Sequence, residues 1–283
     1  MKHTAHITGV LVVFFLLSQL IGLAVINSYV SRELTVQAGK TAYSELPYGI
    51  ERPEAPPLAA FAFIVSVIAT GTVLFLLLIK FKKNILWKAW YFFAVTLAMS
   101  ISLAAFIQQT AALVLGLAFG ILKVFRPSVA VHNLTEVFIY GGLAIIFVPM
   151  LNIPIAVVLL LAISAYDAVA VWKTKHMIKL ARFQAKSKMF AGLMLPYKTS
   201  GTEKARTEKS KTAVLGGGDM AFPLMFAGVV MGKVGFVNAL VIPACAAIAL
   251  FLLLYFGKKD RFYPAMPFIT AGCLAGYGLT FLL

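Results

Sequence analysis

One stretch of this 283-residue chain decides its fold class: LGGGDMAFPLMFAGVVM, residues 215–231. Apart from Asp219, it contains only apolar side chains, glycine and proline. A helix of this length approaches the thickness of a bilayer core, so the stretch is predicted to span a membrane. The three glycines before Asp219 are poor helix formers, and irregular backbone at membrane depth is tolerated only inside protein or along a wet cavity. A charged side chain at that depth marks a candidate functional site.

The rest of the chain has the same character as this stretch. Hydrophobic residues make up 61% of it and charged residues 12%, against about 25% charged residues in soluble domains. This composition excludes a soluble enzyme and a disordered chain, and continuous apolar runs exclude a β-barrel. We therefore predict an all-α polytopic protein of the cell membrane. The net charge of +15 indicates basic cytoplasmic loops rather than binding of nucleic acid.

The apolar runs predict nine transmembrane helices. The run at 88–125 is too long for one span, so it must turn at its only polar cluster, Gln108-Gln109-Thr110. A second break falls at Asn152-Ile153-Pro154. The predicted spans are 7–30, 58–79, 90–107, 111–125, 130–151, 154–171, 215–231, 236–256 and 263–283.

Lysine and arginine residues set the predicted orientation. With the N-terminus inside, 21 of the 25 basic residues fall on the inner side, which places the C-terminus outside. The chain then divides into residues 1–172 with six helices, a basic cytoplasmic linker at 173–212, and residues 213–283 with three helices. The linker is predicted to contact anionic lipid headgroups. Its apolar island at 189–197 is either an interfacial segment or a lid near the site.

Three acidic residues lie at predicted membrane depth: Glu136, Asp167 and Asp219. Glu136 follows Asn133 by three residues, which fits a capping box and predicts a structural role. Asp167 and Asp219 lie about 9 and 12 Å along their helices from the nearest cytoplasmic basic residue. Because the two spans run in opposite directions, we expect both carboxyls at similar depth. From charge alone, catalysis and proton or cation transport are equally supported.

Neighbouring motifs favour catalysis. A tyrosine precedes the first aspartate, a Gly-x-Gly precedes the second, and Pro-Ala-Met opens the ninth predicted span. This set resembles the Tyr-Asp, Gly-x-Gly-Asp and Pro-Ala-Leu motifs of the presenilin and signal peptide peptidase family, and the short chain is similar to archaeal presenilin homologues. Methionine stands where the family has leucine, a change that nearly conserves volume. The matching residues are Tyr166, Asp167, Gly216, Gly218, Asp219, Pro264, Ala265 and Met266.

The resemblance implies an intramembrane aspartyl protease, which hydrolyses peptide bonds within the transmembrane helices of its substrates. Asp167 and Asp219 would be its catalytic dyad, working on a water molecule without a metal or organic cofactor. The expected substrates are single-span membrane proteins, preferably with the N-terminus outside. The residues expected to position the substrate are Tyr166, Gly216, Gly217, Gly218, Pro264, Ala265 and Met266.

Two alternatives remain open at this point. A prepilin-peptidase-like membrane aspartyl protease also uses a Gly-x-Gly-Asp type motif and would cut near the membrane face, but the Pro-Ala-Met segment and the nine-span order favour the presenilin family. An ion channel or proton-coupled transporter would use the intramembrane aspartates differently and would be expected to carry internal repeats. No such repeats are apparent in the sequence.

Overall fold

The computed structural model describes residues 5–52, 56–81, 84–173, 190–197, 211–257 and 263–282. The helices in those ranges are α1 (Ala5–Ser28), α2 (Arg32–Ala38), α3 (Pro57–Lys80), α4 (Asn84–Ala104), α5 (Gln109–Phe125), α6 (Val129–Phe147), α7 (Ile153–Trp172), α8 (Gly217–Val234), α9 (Phe236–Ala239), α10 (Val241–Phe256) and α11 (Met266–Leu279). The strands there are β1 (Val30–Ser31), β2 (Ala42–Tyr43), β3 (Gly192–Tyr197) and β4 (Lys211–Gly216).

Within the described ranges, six helical stretches are long and apolar enough to cross a membrane. They are His6–Ser28, Pro57–Leu74, Ile85–Ala104, Val129–Met150, Ile153–Trp172 and Phe236–Phe256. Two shorter apolar helices, α5 and α11, and the 18-residue α8 coincide with the other three predicted spans. The helical membrane architecture is therefore confirmed, whereas nine spans and the orientation stay predictions.

Both predicted breaks are confirmed, and each has a local cause. The chain leaves α4 after Ala104 and starts α5 at Gln109, so the run at 88–125 folds back as two helices. At the second break, Asn152 is the N-cap of α7, and its side-chain oxygen accepts a hydrogen bond from the Ile155 amide at 3.0 Å. Pro154 lies in the first turn of α7, where its missing amide proton costs no helical hydrogen bond.

The prediction of an all-α chain is incomplete, because two small antiparallel hairpins join the helices. Strand β3 comes from the apolar island of the linker, and β4 runs directly into α8. Leu215 and Gly216 were predicted to open a membrane span, but they pair with Leu193 and Gly192. The ladder satisfies their backbone groups, so these residues need not be helical. The rest of the predicted linker, at 174–189 and 198–210, lies outside the described residues.

Glycines spaced four residues apart on α5 and α11 let these helices pack at close range on their neighbours. A Cβ atom on Gly272 would lie 2.7 Å from the carbonyl oxygen of Cys245, and one on Gly276 would lie 2.7 Å from the Cα of Ile242. Helices α10 and α11 therefore contact each other through their backbones. Gly116 and Gly120 make the same kind of contact between α5 and the side chains of Ser100 and Thr96 on α4. The buried core collects side chains from α1, α6, α7, α8, α10 and α11.

Candidate active site

Asp167 lies near the end of α7, and its carboxylate is buried against the start of α11. Its Oδ2 accepts a hydrogen bond from the backbone amide of Met266 at 3.1 Å. Met266 is the first residue of α11, and the helix starts there after the non-helical Pro264 and Ala265. The first amides of a helix have no intrahelical acceptor and carry a partial positive charge. The Pro-Ala-Met segment thus offers a helix N-terminus to this carboxylate.

A second polar contact joins the same two helices one turn away. The hydroxyls of Ser164 and Thr270 lie 2.7 Å apart, and both side chains are buried. Ser164 precedes Asp167 by three residues and Thr270 follows Met266 by four, so the two contacts lie on matching helix faces. This pair was not predicted from the sequence. It could have been predicted because Ser164 lies one helical turn from the Tyr-Asp motif and Thr270 lies one turn from the Pro-Ala-Met motif.

Asp219 lies in the first turn of α8, directly after the glycine run. Gly216 is the N-cap of α8 and has an extended backbone (φ −66°, ψ 149°). A Cβ atom on Gly216 would lie 3.1 Å from Oδ2 of Asp219, so the carboxylate folds back over this glycine. A side chain at position 216 would crowd this carboxylate, which would have to shift by a few tenths of an ångström.

The three motif-bearing helices α7, α8 and α11 pack against one another. The hydrogen bond between Asp167 and Met266 joins the Tyr-Asp and Pro-Ala-Met segments, and α8, which packs on both of their helices, carries the Gly-x-Gly-Asp segment. Pro264 and Met266 are buried there, Ala265 is partly buried, and Gly218 is exposed. Tyr166 exposes 36% of its surface, so it stands at the edge of this region rather than inside it.

A family model described as "Signal-peptide peptidase, presenilin aspartyl protease" matches residues 12–283. The chain belongs to this family. Two crystal structures of a presenilin family intramembrane aspartate protease resemble it over nearly their whole length. The one in space group C222 has 18% identity and a TM-score of 0.63, with 97% of this chain and 98% of that chain covered. The one in P2 has 20% identity and a TM-score of 0.61, with 96% of each chain covered. No curated protein matches the chain.

The presenilin-family match identifies the class of protein. The chain is an intramembrane aspartate protease, and hence a hydrolase and a multi-pass integral membrane protein. The resemblance read from the three short motifs is therefore confirmed over nearly the whole chain. It favours the protease interpretation over the prepilin-peptidase-like and transporter alternatives.

The capping box predicted at Glu136 of this presenilin-family protease is wrong. Helix α6 begins earlier, at Val129, and its N-cap is Ser128, whose hydroxyl accepts a hydrogen bond from the Val131 amide at 3.2 Å. Glu136 lies in the second turn, where its carboxylate forms a buried ion pair of 2.6 Å with Lys123 of α5. In the predicted topology Lys123 lies at the cytoplasmic end of the span 111–125, with no partner assigned to it. The sequence signal for its burial was that Lys123 lies within an apolar run, four residues before the break at Pro127.

Gln19 is a further polar residue that was not predicted to contribute to the site. It is fully buried on α1, and its side-chain amide donates to the carbonyl oxygen of Met220 at 2.8 Å. Met220 directly follows Asp219, so the contact ties the first turn of α8 to α1. A glutamine in the middle of an apolar span was the signal for this contact.

Proposed function

We propose that Asp167 and Asp219 form the catalytic dyad of this presenilin-family protease. Two carboxyl groups held close together do not readily both ionise, so they share a proton. One carboxylate removes a proton from water, whose oxygen attacks the scissile carbonyl carbon, while the other carboxyl protonates the carbonyl oxygen. Collapse of this intermediate breaks the C–N bond: the departing nitrogen takes the proton that the first carboxylate removed from water, and a hydroxyl of the intermediate returns a proton to the second carboxylate.

The observation that carries the proposal is the contact between Asp167 and the Pro-Ala-Met segment. The Met266 amide fixes one oxygen of the carboxylate, which orients the other for exchange of protons. Asp219 starts a helix that packs against α7 and α11, and its carboxylate is only partly buried. These features suit a pair of acids that must meet both water and a peptide.

We further propose that the substrate helix unwinds and binds in an extended conformation. Side chains of α6 already bind the backbone of β3 at Gly192 and Met194. We therefore assign strand addition to β4, which leads through Gly216–Gly218 to Asp219, with the Pro-Ala-Met segment as a second backbone partner. Peptide-bond hydrolysis at membrane depth requires such unwinding, because a helix hides its carbonyls in hydrogen bonds.

The topology that goes with this function has nine spans, an inner N-terminus and an outer C-terminus. The linker at 173–212 then separates a six-helix part with Asp167 from a three-helix part with Asp219. Basic residues of the linker face anionic lipid on the cytoplasmic side, where both aspartates lie. Cleavage should therefore fall in the cytoplasmic half of the substrate span.

Reconstituted protein tests the proposed activity directly. Proteoliposomes with a single-span helical substrate should yield cleavage products, and a transition-state-analogue inhibitor of aspartyl proteases should suppress them. The matched control is the double variant Asp167→Asn/Asp219→Asn, which should produce none. Ion flux in these liposomes without cleavage would support the transporter alternative instead.

Substrate polarity provides a second test. A dyad fixed in the membrane meets a substrate helix productively in one direction only, because attack on a peptide bond depends on direction. Two substrates with the same apolar span in opposite orientations should therefore be cut at different rates. The version with its N-terminus outside should be cut faster. Faster cleavage of the reverse version, or protease protection that places the linker outside, would contradict this orientation.

A further inference from the structure

The strongest unexplained feature of the fold is a charged cluster buried between α5 and α6. Lys123 Nζ lies 2.6 Å from Glu136 Oε1 and donates to Thr135 Oγ1 at 2.6 Å, and only 1% and 3% of the two charged side chains are exposed. Burying an ion pair costs several kcal/mol of desolvation, and apolar residues of similar volume are often at least as stabilising. The proposed catalytic mechanism uses neither residue, so the cluster calls for a separate explanation.

The second oxygen of Glu136 binds the hairpin that carries the glycine motif. Glu136 Oε2 accepts a hydrogen bond from the Gly192 amide at 2.9 Å, and His132 Nε2 lies 2.7 Å from the Gly192 carbonyl oxygen. Asn133 binds both backbone groups of Met194, at 2.9 and 3.0 Å. Three side chains of α6 thus replace a neighbouring strand along one edge of β3.

The same oxygen connects the cluster to the segment before Asp219. Tyr140 donates its hydroxyl to Glu136 Oε2, and a Cβ atom on Gly217 would lie 2.7 Å from that hydroxyl oxygen. The Gly217 amide also donates to the Ala191 carbonyl at 3.0 Å, next to the residue that Glu136 holds. Both routes from Glu136 therefore end at Gly217, two residues before Asp219.

We propose that Glu136, ion-paired with Lys123, is a positioning residue that fixes the Gly216–Asp219 segment through Gly192 and Tyr140. This inference rests on the proposed role of Asp219 and extends it to residues on α5 and α6. Glu136 does not touch the reacting atoms. Its acceptor oxygen sets where the glycine segment lies, and Lys123 provides the charge that makes a buried carboxylate tolerable at that place.

Two charge-balanced double variants separate positioning from general stability. Lys123→Met/Glu136→Gln removes both charges but keeps an acceptor oxygen, whereas Lys123→Met/Glu136→Leu removes the charges and the acceptor. Neither leaves an unpaired charge in the core. Cleavage of a single-span substrate is measured in proteoliposomes well below both unfolding midpoints, so that each protein is folded. Values of kcat and KM are determined separately, together with the affinity for a transition-state-analogue inhibitor.

The Gln double variant is expected to keep kcat within about threefold of wild type. The Leu double variant should lose about tenfold or more in kcat and in inhibitor affinity, with KM little changed, because the acids are displaced while the substrate groove persists. Equal, wild-type kcat in both double variants would overturn the proposal and leave the cluster as a helix-packing contact. Wild-type protein that cuts no substrate would overturn the proposed function, and this inference with it.

Tyr140→Phe provides an independent readout if the Leu double variant does not fold. It deletes only the hydroxyl against Gly217 and keeps the ion pair and the ring. A fall of severalfold in kcat at unchanged KM is expected. Wild-type kcat in this variant would contradict the route through Tyr140 and, with an unfolded Leu double variant, the proposal as a whole.

Discussion

Asp167 and Glu136 are both buried carboxylates on consecutive long helices, yet different partners hold them. Glu136 binds a lysine ammonium, a tyrosine hydroxyl and a backbone amide. The hydrogen bond described for Asp167 comes from the backbone amide of Met266, at the start of α11. One carboxylate is thus bound within a charged cluster, and the other is bound at a helix N-terminus.

This difference fits two different roles: Glu136 holds part of the structure in place, and Asp167 takes part in the chemical step. The ion pair with Lys123, together with the bonds from Tyr140 and Gly192, holds the Glu136 carboxylate in one place, which suits a fixed anchor. A backbone amide orients a carboxylate but carries no full charge, so the group can take up and release a proton. We therefore expect substitutions around Asp167 to change the chemical step itself, and substitutions around Glu136 to change where Asp219 lies.

The largest expected effect comes from the proposed catalytic acids. Asp167→Asn and Asp219→Asn should each lower kcat at least about 100-fold, because asparagine cannot complete the acid–base cycle. Stability should change little at Asp167, since the amide oxygen of asparagine still accepts from Met266. Substrate cleavage and thermal unfolding in detergent measure the two effects.

The matched control for these variants is Glu33→Gln, which makes the same chemical change on the exposed surface of α2. It should cut at the wild-type rate. Near wild-type turnover in either asparagine variant would exclude a shared-proton mechanism and remove the distinction between Asp167 and Glu136.

A smaller loss is expected from Gly216→Ala. The new Cβ atom would lie 3.1 Å from Oδ2 of Asp219, so the carboxylate must move by a few tenths of an ångström. Such a displacement should lower kcat about tenfold with little change in KM. Gly71→Ala is the control, because its Cβ atom would meet nothing within 4 Å. Equal kcat in the two variants would show that the carboxylate position tolerates this shift.

Pro264→Ala tests the other side of the site. Alanine favours helix where the structure has none, so the start of α11 and the Met266 amide should shift relative to Asp167. We expect cleavage to fall severalfold while the unfolding midpoint changes little. Met266→Leu, which keeps the backbone amide and nearly the same volume, should stay close to wild type. If both variants had wild-type activity, the Pro-Ala-Met segment would have no part in positioning Asp167.

The smallest expected effect concerns the hydroxyl pair beside Asp167. Ser164→Ala and Thr270→Val should each reduce the free energy of unfolding by about 1 kcal/mol, because each leaves one buried hydroxyl without its partner. The double variant should cost less than the sum of the two, which a double-mutant cycle measures. Ser66→Ala is the control, since that exposed hydroxyl bonds only within its own helix. Strict additivity would indicate that the two hydroxyls do not interact.

The sequence predicted those features that depend on local composition. Apolar runs gave the membrane helices, and the breaks at Gln108–Thr110 and Asn152–Pro154 followed from polar and proline residues within them. The motifs around Asp167, Asp219 and Met266 identified the family, because each is a short contiguous pattern. The number of spans and the orientation also rest on the sequence alone, the first through the apolar runs and the second through the distribution of lysine and arginine.

Only the tertiary structure decided which distant groups meet. The Met266 amide reaches Asp167 across 99 residues, and the Gly192 amide reaches Glu136 across 56. The hairpin of β3 and β4 could not be predicted from the sequence either. Its strands are separated by positions 198–210, and the end of β4 was predicted to begin a membrane span. Hydropathy describes how each segment partitions between water and lipid. It does not specify which residues contact each other, because those contacts depend on how the helices pack. Lys123 shows the physical reason most directly: the sequence places it at the end of the predicted span 111–125, and it becomes a buried partner of Glu136 only because α5 packs on α6.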